Sequence, residues 1–151
     1  MIHIKEGNIF EADTQGIVNP VNCMGVMGAG LAKKFAQFYP NMEKEYKAIC
    51  HADKLKVGQI FMWTIDAHDG LRYIFNLPTK VHWKDPSKMQ YIRHGVTELI
   101  RLMSEHEISS VAIPAIGCGL GGLKWDDVFK EIVHQFQRET DKTVWLFPPK
   151  G

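Results

Sequence analysis

The sequence has almost no net charge, few cysteines, no long apolar run and no metal-ligand pattern, and each shortage excludes something. Eighteen Lys and Arg stand against 17 Asp and Glu, a formal net charge of +1. A protein that coats polyanions carries a clear basic excess, so a general nucleic-acid binder is excluded, while a small anionic ligand or a local basic patch is not. No run approaches the ~20 apolar residues of a membrane span, and the start, Met1 to Gly7, lacks the apolar centre of a secretion signal. The three cysteines, Cys23, Cys50 and Cys118, lie far apart with no C-x-x-C pair. An odd, scattered set argues against a disulfide framework and a zinc site. The seven histidines form no H-x-x-x-H pair. The expectation is a reduced, cytoplasmic, monomeric domain with no metal and no cofactor.

What is present is an ordinary globular mixture, 45% apolar and 23% charged, over 151 residues, the length of one domain spanning 1–151. The tail Pro148-Pro149-Lys150-Gly151 fits either a true end or the start of a linker in a longer chain. Strand and helix patterns alternate. Short β-rich runs are expected at 2–5, 16–19, 59–65, 71–77, 110–113 and 143–147, with a turn over 66–70 between the third and fourth. Helices are expected at 29–39, 43–51, from Ser87 and from Asp126. Ser87-x-x-Gln90 after Pro86 has the form of a capping box, and Ile92, Val96, Leu99 and Met103 follow at helical spacing. Asp126 and Asp127 suit a helix N-terminus, with Val128, Phe129, Ile132, Val133 and Phe136 as its apolar face. About six strands with helices between them predict an α/β fold, a mixed sheet covered on both faces.

Glycine is unevenly placed. One cluster runs from Asn19 through Gly25, Gly28 and Gly30; the other is Gly117-Cys118-Gly119-Leu120-Gly121-Gly122. Each follows a buried strand and leads to a helix. Backbone N–H groups in such loops converge on anions, and a helix N-terminus adds a favourable dipole. Two such loops at the carboxyl ends of two strands predict a diphosphate cradle; tight strand-to-helix turns are the plainer alternative. The second loop matches G-x-G-x-x-G, but a redox-dinucleotide fold needs an acid at the end of the next strand. Here that strand ends at Phe147 and runs into Pro148.

These segments resemble the macrodomain, an ADP-ribose-binding three-layer α/β/α fold, over nearly the whole chain. Gly7-Asn8-Ile9-Phe10 is similar to the segment after that family's first strand. Residues 17–23 with 25–30 resemble its first binding loop, and residues 113–125 its phosphate loop. Within the family, Leu77-Pro78-Thr79-Lys80-Val81-His82-Trp83, and Gly117 to Leu123 followed by Trp125, resemble the DNA ADP-ribosyl glycohydrolases. These are antitoxins that remove ADP-ribose from thymidine in single-stranded DNA and so reverse a DarT-type toxin.

The resemblance implies roles by position. Lys80 is the expected catalytic residue, and Asn22 holds the distal ribose. Gly117, Cys118, Gly119 and Leu120 wrap the diphosphate, and Gly119 permits its close approach. Asn8, where the family usually has Asp, and Ile9 meet the adenine. Val21, Met27, Gly28, Gly30, Leu31, Thr79, Pro114 and Gly121 complete the expected ligand contacts. Related lysine-dependent enzymes that release ADP-ribose from protein glutamate carry an acid where this chain has Gly121.

The chemistry leaves alternatives open. Cleaving an N-glycosidic bond develops positive charge at the anomeric carbon, which most glycosidases flank with two carboxylates. Neither glycine loop carries such a pair. A neutral Lys80 can attack C1″ or trap the opened sugar as a Schiff base; a protonated one can assist departure of the base. A lone lysine after a strand is otherwise a solvated surface residue, and Asn22 is otherwise a turn residue satisfying the backbone. Cys23 and Cys118 lack an adjacent histidine and read as small buried residues. His82, Trp83 and Lys84 interleave aromatic and basic groups, the pattern that stacks unpaired bases and tracks phosphates; a helix-entry loop with Trp83 in the core is the other reading. From Lys80 to His94 there are four basic residues against one acidic, leaving the rest of the chain slightly acidic. A non-catalytic ADP-ribose reader, and a hydrolase of O-acetyl-ADP-ribose, ADP-ribose-1″-phosphate or protein-linked ADP-ribose, are the competing functions.

Overall fold

The computed structural model describes residues 1–68 and 70–150. Asp69, in the turn expected over 66–70, lies outside the described residues. The elements are β1 (Ile2–Ile4), a 3-10 turn (Ile9–Glu11), β2 (Gly16–Val21), α1 (Gly30–Phe38), α2 (Pro40–His51), β3 (Phe61–Ala67), β4 (Gly70–Pro78), α3 (Met89–Glu105), β5 (Ser110–Ile113), α4 (Trp125–Phe136) and β6 (Thr143–Leu146). The strands form one sheet in the order β1-β6-β5-β2-β4-β3. All neighbours are parallel except the β3–β4 hairpin, which makes the expected mixed sheet.

Alternation along the strands builds the two cores. Val18, Phe75, Leu77, Val111, Ile113, Val144 and Leu146 face α3 and α4, against Ile92, Val96, Leu99, Met103, Val128 and Ile132. The intervening Ile17, Val21 and Ile74 face α1 and α2, against Phe35, Met42 and Tyr46. Ala112 and Phe147 face the 3-10 turn at Ile9 and Ala12. Strands buried on both faces read as continuous apolar runs, which is why Val111 to Ile113 and Val144 to Phe147 carry so little polarity. Among the described residues, no helix is long and apolar enough to cross a membrane.

Three expectations about boundaries fail for physical reasons. Pro40, expected only to end α1, is the first residue of α2; its fixed φ and missing N–H suit that position. The capping box at Ser87 does not form. Helix α3 starts at Met89 behind Lys88, with no side-chain cap, because the Ser87 backbone N–H is turned aside to donate to the Gly121 carbonyl at 2.9 Å. Strand β2 also runs further than 16–19, through Pro20 to Val21. The carbonyls of Gln15 and Val21 accept from Tyr73 of β4 and from Thr79 just after it, so Pro20, one residue out of phase, faces β5. The pairing with β5 has already ended at Ile17, and the missing N–H breaks no ladder.

That early parting of β2 and β5 positions the site. After β2 the chain turns to α1 on one face; after β5 it turns to α4 on the other. In open α/β sheets the crevice at such a switch, outside the carboxyl ends of the strands, is where ligands bind.

Candidate functional site

A cleft of about 730 Å³ occupies this switch point. Both glycine loops form its walls, together with the exits of β4 and β6. Among the described residues, its lining carries Lys34, Lys80 and Lys150 and no Asp or Glu. A cavity of this size that is mostly apolar, with a few converging polar groups, is the usual form of a small-molecule site, and the sign of its charges selects an anion.

The amides add to that selection. Helix α1 opens on Ala29 with no side-chain cap, and Gly28, Ala29, Gly30 and Leu31 line the cleft. A Ser, Asp or Asn cap is worth about 1 kcal/mol over Ala. Its absence leaves the first-turn N–H groups directed at whatever the cleft holds. In the second loop, Gly117 has φ +75°, a region that favours glycine. Its carbonyl accepts from Leu123 N–H at 2.9 Å. A Cβ at Gly119 would meet nothing within 4 Å, so the backbone there is bare toward the cleft.

At the other end, the β2–β4 ladder continues past both strands. Thr79 N–H donates to the Val21 carbonyl at 2.9 Å, and Cys23 N–H donates to the Val81 carbonyl at 2.8 Å. Lys80 is held between these two bonds, level with Asn22 on the neighbouring segment. Its ammonium makes no hydrogen bond or ion pair with the described residues. Thr79 is buried.

Asn22 is more constrained than a ribose ligand alone requires. Its Nδ2 donates to the Val26 carbonyl at 2.8 Å, and its Oδ1 accepts from Met24 N–H at 2.9 Å. The Tyr46 hydroxyl, 2.7 Å from the Asn22 carbonyl and 2.9 Å from its Oδ1, donates to this pair. Burial pushes the Tyr46 phenol far above its ordinary range, so it stays a donor. Asn22 therefore organises the first glycine loop, as the turn-residue reading held, and keeps one amide hydrogen for a ligand. Asn22→Ala is expected to cost about 2–3 kcal/mol of stability, read as a lower urea midpoint.

Most of the residues singled out in the sequence meet here. Asn8, Ile9, Val21, Asn22, Gly28, Gly30, Leu31, Thr79, Lys80 and Trp83 line the cleft, as do Pro114, Gly117, Cys118, Gly119, Leu120 and Gly121. Met27 does not: it is buried beneath the first loop, its sulfur 4.0 Å from Asn19 Nδ2. Asn8 turns its Oδ1 back to accept from Phe10 N–H at 3.0 Å, capping the 3-10 turn. His82 and Lys84 lie off the cleft and brace Trp83. The His82 ring is 5.4 Å from the indole, and the Lys84 ammonium is 5.1 Å from its centroid. Trp83 is 49% exposed, which corrects the reading of a core tryptophan.

The cysteines also depart from expectation. Cys23 and Cys118 are half-buried rather than buried. Burial pushes both thiols up to about 11, with the neighbouring Cys50 adding to the effect at Cys23. Both stay protonated near neutral pH, which removes them as thiolate nucleophiles.

Reasoning from the sequence missed Lys34 and the segment Phe147 to Lys150, all in the cleft wall. Lys34 lies four residues after Gly30, one helical turn on, a spacing that could have found it. The second miss has a topological cause: β6 lies beside β5 and parallel to it, so its exit falls on the same rim.

Comparison with known proteins agrees with this geometry. The Macro domain family model matches residues 18–132. The DNA ADP-ribosyl glycohydrolase of Mycobacterium tuberculosis is 42% identical over 151 residues, all of this chain and 43% of that protein. The chain thus spans less than half the length of the curated relatives it matches most strongly. The solved macrodomain of Mycobacterium tuberculosis DarG superposes with a TM-score of 0.96 at 42% identity, covering 99% of both chains. The structure of Thermosipho africanus DarTG in complex with ADP-ribose superposes at 0.89 with 28% identity, over 98% of this chain and 41% of that one.

Proposed function

The chain belongs to the Macro domain family, and from that premise we propose that it removes ADP-ribose from thymidine in single-stranded DNA, reversing the product of a DarT-type toxin. The observation that carries this reading is a cleft with three lysines, two loops of open amides and, among the described residues, no Asp or Glu. Such walls suit a diphosphate, and they leave Lys80 as the reactive side chain at the reacting end. The relatives' names, a DNA ADP-ribosyl glycohydrolase and a DarTG bound to ADP-ribose, support the same ligand and linkage.

In this reading the adenine lies at the apolar end, near Ile9 and Phe147, and the diphosphate lies between the first turn of α1 and the loop at Gly119. The distal ribose then meets Asn22 and Lys80. The C1″–N bond breaks, water supplies the new hydroxyl at C1″, and the proton goes to the departing thymine. The base emerges beside Trp83, with Lys84 beyond it. The domain works as a cytoplasmic monomer without metal or cofactor, and most of its affinity for DNA comes from the modification.

A substrate panel tests the proposal. Release of ADP-ribose from a thymidine-modified oligonucleotide, with slower release from modified protein and from the 1″-phosphate, supports it. Tight ADP-ribose binding with no turnover on any linkage makes the domain a reader. Stacking one base on an aromatic is worth about 1–3 kcal/mol. Trp83→Ala is therefore expected to raise KM for the modified oligonucleotide about tenfold while leaving free ADP-ribose affinity unchanged by calorimetry.

A further inference from the structure

The glycine loop after β5 rests on a residue that the chemistry above does not use. Ser87 ends the segment that begins at Lys80. It is 6% exposed, and its hydroxyl oxygen is buried without a hydrogen-bond partner among the described residues. Its backbone N–H holds the Gly121 carbonyl at 2.9 Å. A Cβ added at Gly121 would collide with Ser87 Oγ and lie 2.5 Å from the Gly117 carbonyl oxygen. A Cβ at Gly117 would lie 3.4 Å from Ser87 Cβ. The Ser87 side chain is thus packed against the underside of the loop at both glycines, with its hydroxyl at Gly121.

A buried, unpaired hydroxyl is destabilising, and in a native protein it calls for a reason. The loop supplies one. Each peptide N–H is fixed trans to the carbonyl of the preceding residue. Turning the loop amides toward an anion in the cleft therefore swings their carbonyls toward the opposite side, where Ser87 sits. Those carbonyls have a lone pair to spare.

We propose that Ser87 is a positioning residue whose hydroxyl is unpaired in the free protein and donates to a carbonyl of the 117–121 loop once that loop closes on a diphosphate. The inference rests on the reading of this loop as the diphosphate cradle. It also couples two parts of the site: Ser87 links the segment bearing Lys80 and Trp83 to the loop that grips the phosphates.

The signature is a pair of effects of opposite sign. Ser87→Ala removes a group that is unpaired in the free state and paired in the bound state. Thermal unfolding of free Ser87→Ala is expected to rise by about 2 °C, while calorimetry shows ADP-ribose binding about fivefold weaker. A purely structural serine would move stability down and leave affinity alone; that result overturns the proposal. A crystal structure of the wild-type ADP-ribose complex gives a second test that needs no variant. Ser87 Oγ about 2.7–2.8 Å from a loop carbonyl oxygen supports the proposal; a hydroxyl still without an acceptor there overturns it. Wild-type protein that fails to bind ADP-ribose overturns the cradle itself and the proposal with it. Wild-type binding with an unchanged Ser87→Ala affinity overturns the role of Ser87 alone.

Discussion

Lys80→Ala is expected to slow release of ADP-ribose from a thymidine-modified oligonucleotide by at least ~100-fold, the range in which a positioned proton donor or base acts. The loss falls on turnover because Lys80 has no structural duty. Its ammonium has no partner among the described residues, and its backbone is held by the bonds of its neighbours Thr79 and Val81. Stability and ADP-ribose affinity should therefore change little, since the diphosphate is left with the amides of both loops. Lys80→Arg should be as slow as the alanine variant if a neutral amine is needed, because a guanidinium does not deprotonate. Single-turnover assays of modified oligonucleotide with the three proteins make the comparison. Borohydride separates the two roles open to the amine. Attack of a neutral Lys80 amine on C1″ breaks the C1″–N bond, passes the amine proton to the departing thymine and gives an N-glycoside that opens to an imine, which borohydride reduces to a trapped adduct on Lys80. Protonation of the departing thymine leaves none. A Lys80→Ala rate within threefold of wild type removes Lys80 from the mechanism.

The fold was legible because its signals are local and repeated. Period-two and period-3.6 patterns fall in alternating blocks, so six strands, their order in the chain and the core facing α3 and α4 follow from the spacing of residues such as Val96, Leu99 and Val128. The two glycine loops were legible as well, since their glycines cluster just after two buried strands. What the sequence conceals is which group a polar residue answers to. Ser87 has the spacing of a helix cap, yet its amide answers to Gly121, 34 residues on. Asn22 has the chemistry of a ribose ligand, yet most of its amide is committed to Met24, Val26 and Tyr46. Lys34 and Lys150 carry no motif and enter the cleft only through the placement of α1 and the β5–β6 pairing. Long-range partners of polar groups are set by topology, and no window along the chain contains them.

Gly119→Glu is expected to abolish ADP-ribose binding without loss of fold, and the reason lies in how the loop's glycines differ. At Gly117 a side chain would sit at φ +75° with its Cβ 2.8 Å from Leu123 Cδ1; at Gly121 it would lie 2.5 Å from the Gly117 carbonyl oxygen. Substitution at either position strains the free protein, so lost binding there would be confounded with misfolding. At Gly119 the backbone is outside the left-handed region and an added Cβ meets nothing within 4 Å. A glutamate there has room only because the room is the cleft. Its carboxylate would stand about 5 Å from a diphosphate, where like charges at an effective dielectric near 20 repel by about 3 kcal/mol each. That corresponds to a loss of affinity of at least ~100-fold, before counting the closed approach to the loop amides. Gly119→Ala, which blocks that approach without charge, should weaken binding about tenfold. Thermal unfolding of both variants should stay within about 2 °C of wild type, with calorimetry against ADP-ribose reading affinity. A glutamate variant that binds within threefold of wild type places the diphosphate elsewhere and leaves the first turn of α1 as its sole anchor.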